Sequence, residues 1–75
     1  LGDADAQCEL GHCYYHGKGV KQSLTEAAKY YKMAADNGQV DACSQMGLFY
    51  AEGIGGLPQS YKDSFHYIKR AADQG

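Results

Sequence analysis

Two stretches of the chain decide its fold when they are laid over each other: ADAQCELGHCYYHGKGV, residues 4–20, and VDACSQMGLFYAEGIGGL, residues 40–57. At a shift of 36, Asp5, Ala6, Gly11, Tyr14, Gly17 and Gly19 fall on Asp41, Ala42, Gly47, Tyr50, Gly53 and Gly55. Gly2 falls on Gly38, and Leu10 meets Met46, which keeps size and hydrophobicity. One extra glycine, Gly55 or Gly56, then moves the shift to 37. Ser23, Tyr30, Lys32, Ala34, Ala35, Asp36 and Gly38 now match Ser60, Tyr67, Lys69, Ala71, Ala72, Asp73 and Gly75. Roughly two in five aligned positions are identical. Self-similarity at such a period marks a repeat architecture, in which each unit buries its apolar face on its neighbours. The units divide as 1–38 and 39–75.

Each unit reads as two helices. The first runs from about Asp3 to His16, with Ala6, Leu10, Cys13 and Tyr14 as a buried stripe at helical spacing. Asp3 is placed to cap it and Asp5 to complement its dipole. Gly17-Lys18-Gly19 ends it, because glycine accepts the left-handed backbone of a tight exit. Val20 is expected to fold back onto the pair. The second helix starts at Ser23, where Ser23 and Glu26 have the spacing of a reciprocal capping box. Leu24, Ala27, Tyr31, Ala34 and Ala35 form its buried side, and Gly38 closes it. The second unit repeats the plan over Asp41 to Glu52 and Ser60 to Asp73, with Ser60 and Asp63 as the capping pair and Pro58 harmless in the turn. Mid-helix Gly11 and Gly47 each cost about 1 kcal/mol against alanine. Their recurrence predicts close helix approach, against the thin surface of Ala34, Ala35, Ala71 and Ala72, with Tyr14, Tyr30, Tyr50 and Tyr67 filling the outer gaps. The fold class is all-α: an α/α solenoid of two helix-turn-helix repeats, four helices in all.

The bulk properties exclude other classes. A net charge of −2 without clustered Lys or Arg offers no footprint for nucleic acid. No apolar run reaches the roughly 18 residues of a membrane span. The three cysteines, Cys8, Cys13 and Cys43, cannot all pair within one chain. Cys8 and Cys13 point about 140° apart on one helix. Reduced, buried thiols are expected, and among compartments the cytoplasm is slightly favoured.

Ala6, Leu10, Gly11, Tyr14, Gly17, Gly19, Val20, Ser23, Ala27, Tyr30, Tyr31, Ala34, Ala35 and Gly38 together resemble the Sel1-like repeat family, a relative of the tetratricopeptide repeats. The second copy departs at Met46, Leu57 and Ser64. The resemblance implies a solenoid whose first helices line a concave face, and the role of an adaptor or scaffold rather than an enzyme. A cysteine-rich branch of the family, linked to β-lactam binding, joins its helix pairs by disulfides and would place a cysteine at position 35 facing Cys43. Ala35 and Ala72 stand there instead, which argues against that branch and its activity. The repeats could also be the docking arm of a larger enzyme. Arrays of this kind need about three units, so two units read as a fragment whose ends expose apolar surface for flanking repeats of the same chain.

Few residues suggest chemistry. Cys8, His12 and His16 share a helix face and, with Asp5 or Glu9, have zinc-ligand character. They span about 12 Å, and Ser44, Leu48 and Glu52 replace them in the second unit, so no metal or other cofactor is expected. Gly17-x-Gly19 and Gly53-x-Gly55-Gly56 follow helices, not strands, and are turns rather than phosphate loops. No Ser–His–acid spacing predicts catalysis, and the seven tyrosines lack the basic groove of a base-stacking platform. Opposite Leu10 and Tyr14 lie Asp5, Glu9, His12 and His16, and in the second unit Asp41, Gln45, Leu48 and Glu52. This mildly acidic face, with Leu48 as an apolar anchor, is the expected site for a protein or peptide partner carrying basic and apolar residues. The outward face of Thr25, Lys29, Lys32, Lys62, His66 and Lys69 is expected to be a solvated surface.

Overall fold

The computed structural model describes residues 3–74; Gly2 and Gly75, whose matches open and close the repeat alignment, lie outside them. Four helices follow one another: α1 (Ala4–His16), α2 (Leu24–Asp36), α3 (Val40–Glu52) and α4 (Tyr61–Gln74). Helix α1 packs on α2, α2 on α3, and α3 on α4. Each unit is thus an antiparallel hairpin, and α2 joins the two.

Local chemistry sets the ends. The Asp3 carboxylate accepts from the amides of Asp5 and Ala6 at 3.0 and 3.3 Å, offsetting two of the free donors at a helix start. Gly17 and Gly53 leave α1 and α3 at φ 72° and 67°, a region closed to most side chains. The capping boxes form only in part. Ser23 Oγ accepts from the Glu26 amide at 3.2 Å, and Ser60 Oγ from the Asp63 amide at 3.1 Å. The reverse bond is not made, because the Ser23 and Ser60 amides donate instead to the Tyr14 and Tyr50 carbonyls, at 2.9 and 2.8 Å. Those bonds tie each second helix to the end of the first. Helix α3 begins one residue earlier than expected, because Gln39 acts as its cap and accepts from the Ala42 amide at 2.9 Å.

The core is Ala27, Ala28, Tyr31, Ala34 and Ala35 of α2 against Ala42, Cys43, Met46 and Phe49 of α3, with Cys8, Tyr67 and Ala71 at its margins. Tyr31 meets Phe49 edge-on, ring centroids 5.7 Å apart. The expected stripe of α1 is not buried. Ala6 and Leu10 are exposed and Cys13 and Tyr14 half-buried, while Cys8 and Gly11 are the buried residues. The reason is positional. The counterparts Ala42, Met46 and Phe49 are fully buried because α2 lies over α3, and no described helix lies over α1 in that way. Val20 is likewise exposed, whereas its counterpart Leu57 is partly buried against the core.

The mid-helix glycines also differ from expectation. A methyl group at Gly11 would sit 2.7 Å from the Tyr31 ring, and one at Gly47 2.5 Å from Ile68. They are holes filled by large side chains of the partner helix, not two thin surfaces meeting. The four tyrosines expected to fill the outer gaps form two stacked pairs: Tyr14 on Tyr30 at 5.6 Å and Tyr50 on Tyr67 at 5.8 Å. Offset stacking of this kind adds about 0.5–1.5 kcal/mol beyond burial.

Candidate interaction surface

The eight residues singled out on the first helices divide into two groups. Asp5, Glu9, His16, Asp41, Leu48 and Glu52 are exposed, and His12 and Gln45 half-buried. On α1 the group is knit together. His12 is engaged at both ring nitrogens, with Nδ1 2.6 Å from the Tyr31 hydroxyl and Nε2 3.6 Å from Cys8 Sγ. Its ring stacks on His16 at 6.5 Å. His12 is therefore a partly structural residue, held against α2, and less a free side chain than its position on the wheel suggested.

Burial pushes the Cys8 thiol above its ordinary value, and the carboxylates of Asp41, Glu9 and Asp5 push it further. The negative charge felt by this buried sulfur thus comes from both units, Asp41 lying on α3. Burial likewise raises the Tyr31 hydroxyl, with Cys8, Tyr15, Cys13 and Glu9 adding to it. A thiol so placed stays protonated near neutrality and is a poor nucleophile. Cys8, Cys13 and Cys43 are all free thiols. Cys43 Sγ lies 3.7 Å from the Ala35 carbonyl, so residue 35 does stand against Cys43, with alanine where a bridge would need sulfur.

Asp5 is not independent either, because its carboxylate accepts from Gln39 Nε2 at 3.2 Å. Gln39 thereby caps α3 with its oxygen and holds the first turn of α1 with its nitrogen. Asn37 Nδ2 donates to Gln7 Oε1 at 3.0 Å just beside it. These bridges tie α1 to the turn between α2 and α3 and were missed in the sequence, where glutamine is a rare cap and its reach across units leaves no spacing signal. Arg70 was missed for the same reason. Its guanidinium reaches from α4 to the Ala35 carbonyl at 3.2 Å and to Asp36 at 3.5 Å.

Gln45, Leu48 and Glu52 make no side-chain hydrogen bond among the described residues, and Leu48 is 41% exposed. No enclosed pocket occurs among those residues, so this is an open surface suited to contact rather than to enclosing a small molecule. On the second helices Thr25, Lys29, Lys32, Lys62, His66 and Lys69 are all exposed. No described helix is long and apolar enough to cross a membrane.

Comparison with known proteins agrees with this architecture. A family model described as Sel1 repeat matches twice, over residues 4–39 and 40–75. The chain is 34% identical over 77 aligned positions to the chitin synthase regulator SKT5 of Malassezia restricta, matching along 100% of its own length and 5% of that protein's. Among solved structures it is similar to a Sel1 repeat protein from Oxalobacter formigenes, with a TM-score of 0.95 and 38% identity over 99% of this chain and 30% of that one. A protective antigen of uropathogenic Escherichia coli displaying an SLR fold gives a TM-score of 0.88 and 38% identity, over 99% of this chain and 16% of that one. The chain therefore spans less than a third of each of these relatives.

Proposed function

We propose, for a chain that belongs to the Sel1 repeat family, that it is an interaction module. It binds a protein or peptide partner along the face that its first helices share, and it performs no catalysis of its own. The observation that carries this reading is the row of exposed side chains on the first helices, Asp5, Glu9 and His16 on α1 and Asp41, Leu48 and Glu52 on α3, with Leu48 41% exposed. Carboxylates at the rim of an apolar anchor favour a partner with basic and apolar side chains, the charges steering encounter and the apolar contact slowing release. The helices beneath are fixed by Gln39 and by the His12–Tyr31 bond, so little ordering is lost on binding. A regulatory role is what the name of the Malassezia restricta relative, a chitin synthase regulator, records for that protein.

The test is selection of peptides from a random display library against this chain. Selected peptides are expected to be basic with one or two apolar residues. A variant with Glu9→Lys, Leu48→Ala and Glu52→Lys should lose them by at least about tenfold while keeping its helicity. Peptides of no common charge, or equal binding by the variant, would place the contact surface elsewhere.

A further inference from the structure

The candidate surface carries two kinds of titratable group. Its carboxylates, Asp5 and Glu9 on α1 and Asp41 and Glu52 on α3, are all exposed, and none of its eight residues is Lys or Arg. Beside them on α1 stand two imidazoles, His12 and His16, whose positions in the second unit are held by Leu48 and Glu52. Repeat packing therefore does not require histidine there. Nor does the exposure of His16 depend on what precedes α1. Leu48 and Glu52 stay exposed on α3 although the first hairpin packs against that helix.

The two rings are held differently. His12 is half-buried and engaged at both nitrogens, by the Tyr31 hydroxyl of α2 at 2.6 Å and by Cys8 Sγ at 3.6 Å. His16 is exposed at the last position of α1, against the His12 ring at 6.5 Å and edge-on to Tyr15 at 4.9 Å. The charged groups that share its face are Asp5 and Glu9 on its own helix and Asp41 and Glu52 on α3, with Lys18 exposed in the turn beyond. The Cys8 thiol and the Tyr31 hydroxyl of α2, both raised by burial, stay neutral. Imidazole is the side chain that changes charge between about pH 5 and pH 8. With both rings neutral the eight residues carry four negative charges, and each proton gained offsets one of them.

We propose that His16 makes this face pH-sensitive, so that a partner with basic side chains is held near neutrality and released in acid. The proposal rests on the interaction reading above and adds its regulation. Two exposed unit charges roughly 7 Å apart in water repel enough to weaken binding about threefold. Salt screens part of that effect.

Fluorescence anisotropy with a dye-labelled synthetic peptide of lysines and leucines tests this at low salt. Both peptide ends are capped, so nothing in the probe changes charge over the range used. Affinity should fall about threefold between about pH 7.5 and about pH 5.5, and the fall should shrink at high salt. His16→Gln should remove most of it, whereas His66→Gln, exposed on the second-helix face, should behave as the parent. Circular dichroism at both pH values checks that helicity is unchanged. Binding that is flat with pH, or a fall that His16→Gln leaves intact, would overturn the proposal while the interaction reading stands. No binding of the peptide at any pH would remove that reading itself, and its regulation with it.

Discussion

Replacing Gly11 with alanine asks whether steric fit or helix propensity decides the packing of a unit. Propensity favours alanine by about 1 kcal/mol in a helix interior. Against it, the new methyl would lie 2.7, 2.8 and 3.0 Å from three carbons of the Tyr31 ring. That ring is fully buried, packed edge-on against Phe49 and bonded to His12. It cannot turn aside without breaking both contacts. Overpacking of a fixed site costs about 1–3 kcal/mol, so Gly11→Ala should lose about 1 kcal/mol net, a fall in Tm of roughly 4–8 °C for a domain this small. Gly47→Ala is the internal control. Its methyl would meet Ile68 Cγ1 at 2.5 Å and the Ser64 carbonyl at 3.3 Å; Ile68 is 49% exposed and has solvent on one side to move into, leaving only the milder carbonyl contact. The two opposing effects should then cancel to within about 0.5 kcal/mol. Thermal and urea melts of the two variants beside the parent measure both. A Gly11→Ala protein as stable as the parent, or a Gly47→Ala protein destabilised as much as Gly11→Ala, would refute the reasoning.

Other substitutions probe the links between elements. Ser60→Ala removes the side-chain cap of α4 and should cost about 1 kcal/mol, read as a lower urea midpoint with unchanged slope. Arg70→Ala severs the bond to the Ala35 carbonyl and the half-exposed pair with Asp36, and should cost about 1 kcal/mol, with little of it screened by salt if the carbonyl bond dominates. Alkaline pH should destabilise the fold. Burial raises the thiols of Cys8 and Cys43 above their ordinary 9.0 and the hydroxyl of Tyr31 above its ordinary 10.0. The unfolded chain therefore releases these protons first. Their contribution is intact below the unfolded values and is lost as pH rises through and beyond them, so Tm should be level from about pH 7 to about pH 8 and fall above about pH 9. A Tm that holds level above that point would contradict the burial of these groups.

How much of this was legible depended on whether a residue's environment lies within its own unit. The helix ends at Asp3, Gly17, Ser23, Gly53 and Ser60 follow from local backbone chemistry, and sequence places them within a residue or so. That Tyr14, Tyr30, Tyr50 and Tyr67 pack could be read because they recur in phase, whereas their stacking in pairs is a finding of the structure. Burial was less accessible. Ala6 and Ala42 carry the same pattern yet one is exposed and the other fully buried, because only the second has a helix laid over it. Periodicity reports which face is apolar, not what covers it. On the candidate surface, the helical wheel picked eight residues, of which six are exposed and His12 and Gln45 half-buried. The engagement of His12 by Tyr31, nineteen residues away in the same hairpin, and of Asp5 by Gln39 was not legible there, because such bonds depend on how the helices dock.

The most direct test of the interaction reading is residue-by-residue mapping. Backbone amide spectra of the isotopically labelled chain would be recorded while a selected basic, apolar peptide is titrated in. Shifts centred on Glu9, His12, His16, Gln45, Leu48 and Glu52 are expected, with Thr25, Lys29, Lys62 and His66 unmoved. Shifts centred on that second-helix face instead, with Leu48 and Glu52 silent, would contradict the assignment of the binding surface.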